Sequence, residues 1–185
     1  MERLSDKEIM QEYVLSKIIR YNHRRRLQDE SVAEHSFYVS LFCLKIMKSL
    51  DLSVEEQNQV LILAALHDTA ESKTSDIPHD VKQNYPEMKI ILDHIEKDYF
   101  HEAWKEYEKT ISRSSDLVKA IVKLADNYSV YQYCLNEKSL GNISSDIHEI
   151  YLDCQTRIDM YIHKINEEIN KRRKNERNSK GIQRN

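Results

Sequence analysis

Six consecutive residues, Leu66-His67-Asp68-Thr69-Ala70-Glu71, place an imidazole and two carboxylates within about one and a half helical turns. At helical spacing His67 and Glu71 are i, i+4 neighbours and Asp68 and Glu71 are i, i+3 neighbours, so the three lie near one face. An imidazole and the adjacent carboxylate reach one ion where a helix ends or distorts, and such N/O donors take Zn, Mn, Co or Mg. Glu71 is then left for acid–base work. A His-Asp dipeptide alone says little, and the chain has a second at His79-Asp80. The weight comes from two other segments. His35 falls on the apolar stripe 35, 39, 42, 46, and Asp126 interrupts the stripe of Val118, Val122 and Val130. Ionisable groups buried without partners cost several kcal/mol, so His35, His67, Asp68 and Asp126 are expected to satisfy one another or a common divalent ion. Two imidazoles and two carboxylates leave room on that ion for water and substrate oxygens.

The elements that must position these groups are helical. Only 2 Gly and 2 Pro in 185 residues leave few places for sheet turns, and 40% hydrophobic residues suffice for one core. A capping box, Ser5-Asp6-Lys7-Glu8, predicts a first helix with Ile9, Met10, Tyr13, Val14 and Ile18 inward, delivering Arg20 and Tyr21 at its end. A loop with Asn22-His23-Arg24-Arg25-Arg26 runs to a second box, Ser31 to Glu34, and a third, Ser53 to Glu56, precedes the apolar run Val60 to Leu66. After a loop with Asp76 and Pro78, Pro86 suits the first position of a fourth helix carrying Met88, Leu92, Ile95, Tyr99 and Tyr107, with Trp104 near its end. Ser114-Ser115-Asp116 opens the helix of Asp126, Gly141-Asn142 breaks it, and Ser144-Ser145-Asp146 starts a last helix that runs to Ile169. The expected organisation is one all-α domain over residues 1–170, with a basic, disordered tail over 171–185.

The net charge of −3 hides basic clusters at Arg24 to Arg26 and from Lys171 onward, neither of which establishes a nucleic-acid partner. Cys43, Cys134 and Cys154 are far apart and lack C-x-x-C spacing, which fits buried thiols in a reducing compartment. The stretch from Met1 to Glu8 has no apolar signal core, and no run approaches the roughly 18 apolar residues of a membrane span. A cytoplasmic protein without a membrane partner is the expectation.

The ordered set His35, His67-Asp68 and Asp126 resembles the H…HD…D motif of the HD-domain metal-dependent phosphohydrolases. More narrowly, Arg20, Glu34-His35-Ser36, His67 to Glu71, Asp76-Ile77-Pro78 and Val81-Lys82 resemble the 5'-deoxynucleotidase branch, of the bacterial YfbR type. The likeness covers roughly Ile18 to Tyr133. Tyr21 stands where relatives commonly have Trp, and Ser75 where they often have Gly. The resemblance implies an HD-domain helical core of five to seven helices and removal of the 5'-phosphate from (deoxy)nucleoside 5'-monophosphates. One divalent ion would sit on His35, His67, Asp68 and Asp126. Glu71 would act as acid or base, Arg20 would bind phosphate, and Tyr21 and Asp76 would face the sugar. Glu34 reads as a cap. Arg24 to Arg26 read as a solvated loop, and a second metal at His79, His94 and His101 has little support. His23, His148 and His163 read as surface residues. A dNTP triphosphohydrolase is the alternative activity, and a nonenzymatic metal-stabilised module ranks below it. The long last helix and the apolar fourth helix are the expected surfaces of a homodimer.

Overall fold

The computed structural model describes residues 10–99 and 102–182. A 3-10 helix over Gln11–Lys17 precedes α1 (Val32–Met47) and α2 (Val54–Leu66). Two short segments come next, α3 (Glu71–Thr74) and α4 (His79–Asn84), then α5 (Pro86–Tyr99), α6 (Glu102–Arg113), α7 (Asp116–Ser139) and α8 (Ser145–Ile182). Among the described residues the only extended pairing is an isolated bridge between Ile19 and Ser31, so the all-α expectation holds. The six longer helices fall within the expected range.

The capping boxes form as read. Ser31 Oγ accepts the Glu34 amide while Glu34 Oε2 accepts the Ser31 N–H at 2.7 Å, and Ser53 with Glu56 repeats the pattern. Each fixes a helix start and contributes about 1 kcal/mol. The box at Ser31 points His35 one turn into α1, and the buried face of that helix is Val32, His35, Val39, Cys43 and Met47. Phe42 and Ile46 flank this stripe half-buried rather than centring it. The core joins that face to Val60, Leu63 and Ala64 of α2, to Leu117, Val118, Ile121, Leu124 and Ala125 of α7, and to Ile158 and Ile165 of α8. All three cysteines are buried free thiols, and burial pushes each of them up to about 12.

Several expectations need correction or limits. The Ser5 to Glu8 box and Ile9 lie outside the described residues, and the segment after them is a 3-10 turn that buries Leu15 while Met10, Tyr13 and Val14 face solvent. Its sequence QEYVLSK has no apolar stripe long enough to pack a full helix, and Ile18 is already extended. The single fourth helix is two, α5 and α6, and Pro86 does open α5. Nothing is described of the Trp104 side chain. Gly141 adopts φ 95°, the left-handed conformation that stops α7. Finally, α8 continues past Ile169 to Ile182. Lys, Arg and Glu are good helix formers, Lys171 pairs with Glu168 one turn back, and Arg172 reaches Glu56 at the start of α2.

Candidate functional site

The apolar run of α2 ends at Leu66, and His67 is its C-terminal cap. This is the helix end that a His-Asp pair needs to converge. The Thr69 hydroxyl donates to Leu66 O and its amide to the same oxygen, closing a tight turn that re-enters helix at Glu71. The turn swings Asp68 beside His67, with Nε2 to Oδ2 at 3.2 Å. From α1, His35 Nε2 lies 3.3 Å from His67 Nε2 and 3.5 Å from Asp68 Oδ2. From α7, Asp126 Oδ1 lies 3.2 Å from the same His35 nitrogen. Three helices distant in sequence thus bring the four residues together: His35, His67 and Asp68 offer atoms that all lie within 4.8 Å of one another, and Asp126 joins them through His35.

The other ring nitrogens explain the arrangement. His67 Nδ1 faces the Ala64 carbonyl at 2.9 Å, which only accepts, so this nitrogen carries the hydrogen. His35 Nδ1 lies 3.0 Å from Ser129 Oγ, inside a fully buried pocket. In the tautomer in which His35 Nδ1 donates to Ser129 Oγ, both Nε2 lone pairs are free beside the two carboxylates, and a cation there would relieve the carboxylates' mutual repulsion. The donor set therefore fits one divalent ion, and its imidazole–carboxylate mixture suits Zn, Mn or Co.

Electrostatics agree. Burial and the Arg20 charge press the His35 imidazole down to about 4, keeping it neutral. Burial opposes protonation of His67 too, but Asp68 outweighs it and raises that ring. Burial works against ionised Asp68, yet His67 and His35 hold its carboxyl far below the usual range. Asp126 is likewise held well down, with Lys123 Nζ on Oδ2 at 3.1 Å offsetting its desolvation.

Glu71 sits in the turn beyond the pair and is 9% exposed. Its Oε1 is 3.8 Å from Lys82 Nζ of α4, and Oε2 is buried without a hydrogen-bond partner. Burial, then the charges of Asp68 and Asp76, push its carboxyl up to about 8, the environment of a group that can hold or surrender a proton near neutrality. Arg20 is also buried. Its Nη1 donates to Glu30 Oε2 at 2.9 Å, and its guanidinium lies 5.1 Å from the centre of the Tyr21 ring. Tyr21 adopts φ 55°, stacks on Tyr133 with centroids 5.0 Å apart, and gives its amide to Asp76 Oδ2 at 2.8 Å. Asp76 therefore ties its loop to Tyr21, a contact beyond its expected place against the sugar.

These groups line a cavity of about 600 Å³. Arg20, Tyr21, Asp68, Glu71, Asp76 and Asp126 all contribute to its wall, whereas His35 and His67 reach the cage from behind it. Sequence reasoning missed Lys123, Ser129 and Glu30, and also Arg157, which lines the cavity. Only Lys123 had a local signal, three residues before Asp126 on one helical face. His23 lines the cavity, and Arg24 does so with Nη1 3.6 Å from Asp146, so neither is mere surface. Glu34 serves its cap. His94 and His148 are exposed, His163 pairs with Glu167, and the His79 and His101 side chains lie outside the described residues.

A family model described as 5'-deoxynucleotidase YfbR-like matches residues 11–171. A 5'-deoxynucleotidase of Yersinia pestis (strain Pestoides F) is 29% identical over 141 residues, 69% of this chain and 72% of that protein. Another, of Yersinia pseudotuberculosis serotype I (strain IP32953), has the same identity and coverage. Among solved structures, an HD phosphohydrolase of cyanophage S-2L, bound to dA and one catalytic Zn2+ ion, has a TM-score of 0.66 at 18% identity, covering 92% of this chain and 99% of that one. An HD-domain phosphohydrolase of Listeria innocua has a TM-score of 0.68 at 20% identity, over 85% of this chain and 81% of that one. At such identities the structural likeness shows the fold alone. The family match spans the 3-10 helix, the whole cage and α8 beyond the core, and on that ground the chain belongs to the 5'-deoxynucleotidase YfbR-like family.

Proposed function

We infer that this protein is a metal-dependent 5'-deoxynucleotidase, hydrolysing (deoxy)nucleoside 5'-monophosphates to nucleoside and orthophosphate. One observation carries the reading: four donors from three helices converge within 3.5 Å of His35 Nε2 or of each other, beside a buried arginine and a buried carboxyl of raised pKa. The family assignment and the Yersinia relatives support it.

His35, His67, Asp68 and Asp126 would hold one divalent ion. That ion would supply positive charge toward the phosphoryl group and make water more acidic. Arg20, fixed by Glu30, is the side chain of this set suited to bidentate phosphate contact. Glu71 orients the attacking water and takes its proton, or returns a proton to the departing 5' oxygen, and Lys82 beside it stabilises its ionised form. Tyr21 and Asp76, joined through the Tyr21 amide, form the wall against which the sugar packs. The cavity volume lies within the usual range for small-ligand sites. Zn, Mn, Co or Mg would serve as that ion, and the Zn2+ of the cyanophage neighbour supports Zn first.

The test is orthophosphate release from a panel of dNMPs, NMPs and dNTPs with each metal, beside Glu71→Ala. Release from dNMPs, lost in the variant while metal stays bound, supports the reading. Tripolyphosphate release from dNTPs makes the protein a triphosphohydrolase instead. A homodimer fits exposed Ile90 and Ile91 on α5 and Leu152 and Met160 on α8, and light scattering of the purified protein tests it. Among the described residues no helix is long and apolar enough to cross a membrane, which accords with a cytoplasmic enzyme.

A further inference from the structure

Glu137 is fully buried near the end of α7, and nothing in the chemistry above uses it. A carboxylate in such a place is costly unless donors surround it. Its donors come from far away. Gln28 N–H gives to Oε1 at 2.8 Å, Leu27 N–H gives to both oxygens at 3.1 and 2.9 Å, and Asn142 Nδ2 gives to Oε2 at 2.6 Å. Asn142 also donates to Arg25 O at 3.0 Å, a contact made possible by the left-handed turn at Gly141. The carboxylate thus grips the tip of the loop that begins with Tyr21 and ends with Glu30.

The base of the same loop is closed by Arg20. Its amide donates to Glu30 O at 2.9 Å, and its guanidinium bonds the Glu30 carboxylate. Midway, the Tyr133 ring lies under Tyr21, and its hydroxyl reaches Gln28 O at 3.4 Å. Asp126, Ser129, Val130, Tyr133 and Glu137 recur at steps of three and four, so they share one face of α7. Along about 16 Å of one rigid helix, this face supplies a cage carboxylate, the partner of His35, a cavity wall, the platform for Tyr21 and the anchor of the loop.

We propose that Glu137 is a positioning residue: by clamping the Tyr21–Glu30 loop onto the helix that carries Asp126, it sets Arg20 and Tyr21 in register with the cage. Its energetic effect is preorganisation of substrate contacts, and it touches no reacting atom. The proposal rests on the functional reading only in taking Arg20 and Tyr21 as substrate contacts.

The experiment compares the full chain with Glu137→Gln, whose amide turns N–H groups toward the loop's own N–H donors. Expected are binding of Zn or Mn within about twofold of the parent, KM for a dNMP raised about tenfold or more, and kcat within about threefold. In an Arg20→Ala background the same substitution is expected to change kcat/KM by a clearly smaller factor than in the parent, because the share of its effect that passes through Arg20 is gone and only that through Tyr21 remains. A role in stability alone would multiply equally in both backgrounds. Amide hydrogen exchange gives a readout independent of turnover: Tyr21 N–H, bonded to Asp76, exchanges faster in Glu137→Gln if the clamp sets the loop. Should that variant not fold, Asn142→Ala loosens the same clasp and is expected to move KM and Tyr21 exchange in the same direction. Parental KM with parental Tyr21 exchange, or an undiminished effect without Arg20, overturns the proposal. If the parent hydrolyses no nucleotide, the functional reading falls, and Tyr21 exchange alone decides whether the clamp exists.

Discussion

Replacing Ser129 by Ala probes the cage without touching a ligand. Ser129 Oγ faces His35 Nδ1 at 3.0 Å, and both residues are buried. Leaving a buried donor unpaired costs about 1–3 kcal/mol. His35 has an escape, however: its proton can move to Nε2, where Asp126 Oδ1 waits 3.2 Å away and accepts it. The metal-free variant should therefore lose stability near the low end, about 1 kcal/mol. Metal binding has no such escape, because an Nε2 that carries hydrogen has no lone pair to give. Loss of an outer partner of a ligating histidine weakens metal binding about 10–100-fold, equivalent to about 1.4–2.7 kcal/mol. The asymmetry is the signature. Calorimetric titration with Zn or Mn and thermal melts with and without metal would measure it, with Ser40→Ala, which loses a hydroxyl bond to Ser36 O on the same α1 helix, as the control. A folded Ser129→Ala that binds metal as the parent does would refute the assigned tautomer and with it the inward aim of the His35 lone pair.

Glu71→Gln should lower kcat about 10²–10⁴-fold and leave metal bound, measured by phosphate release beside a titration. The same substitution tests the raised carboxyl. With a folded value of about 8 against 4.5, the native state holds a proton the unfolded chain has released, so stability falls as pH rises through that window. The metal-free parent should lose up to about 1.4 kcal/mol more per pH unit there than Glu71→Gln in denaturant titrations. Ser75 sits at φ 61°, ψ 175°, a region natural to glycine, so Ser75→Gly should stabilise the fold by about 1–2 kcal/mol, and an unchanged or lowered melting temperature would contradict this. Arg20→Lys should raise KM about tenfold or more with little change in metal binding, since an ammonium cannot hold Glu30 and a phosphate together in the same plane.

How much the sequence disclosed depends on the range of each interaction. The boxes at Ser31 and Ser53 close over three residues, and the helical period puts His35 inward within one turn, so both were legible. The family resemblance also sets Ser75 where glycine is often expected, and its positive φ is a conformation that glycine takes freely. Partners across the fold were hidden. Ser129 lies 94 residues from His35, Glu137 lies 109 from Gln28, and Asp76 lies 55 from Tyr21. No period or spacing announces such pairs, because each depends on which helices and loops the fold brings side by side. The first segment misled for the opposite reason: its apolar residues fit a helical period, but Ile18 to Arg20 are drawn into pairing with Glu30, Ser31 and Val32, which stops any helix at Lys17.

That drawn-out backbone bears on why the cage and the arginine act as a unit. Ile18 O accepts Val32 N–H at 2.9 Å, and Arg20 N–H meets Glu30 O at 2.9 Å, so Glu30 and the first residue of α1 are stapled to the stretch from Ile18 to Arg20. His35 comes one turn into α1. The staple thus links Arg20 to the first cage histidine through a few rigid bonds, while α7 links Asp126 to the far end of the same loop. A regular helix in place of the 3-10 turn would have continued through Arg20 and spent its amide on an i−4 carbonyl, leaving Glu30 without that bond. The poor helical continuity of the first segment is therefore what lets Arg20 be held from two directions, by Glu30 at the base of the loop and by the clamp at its tip.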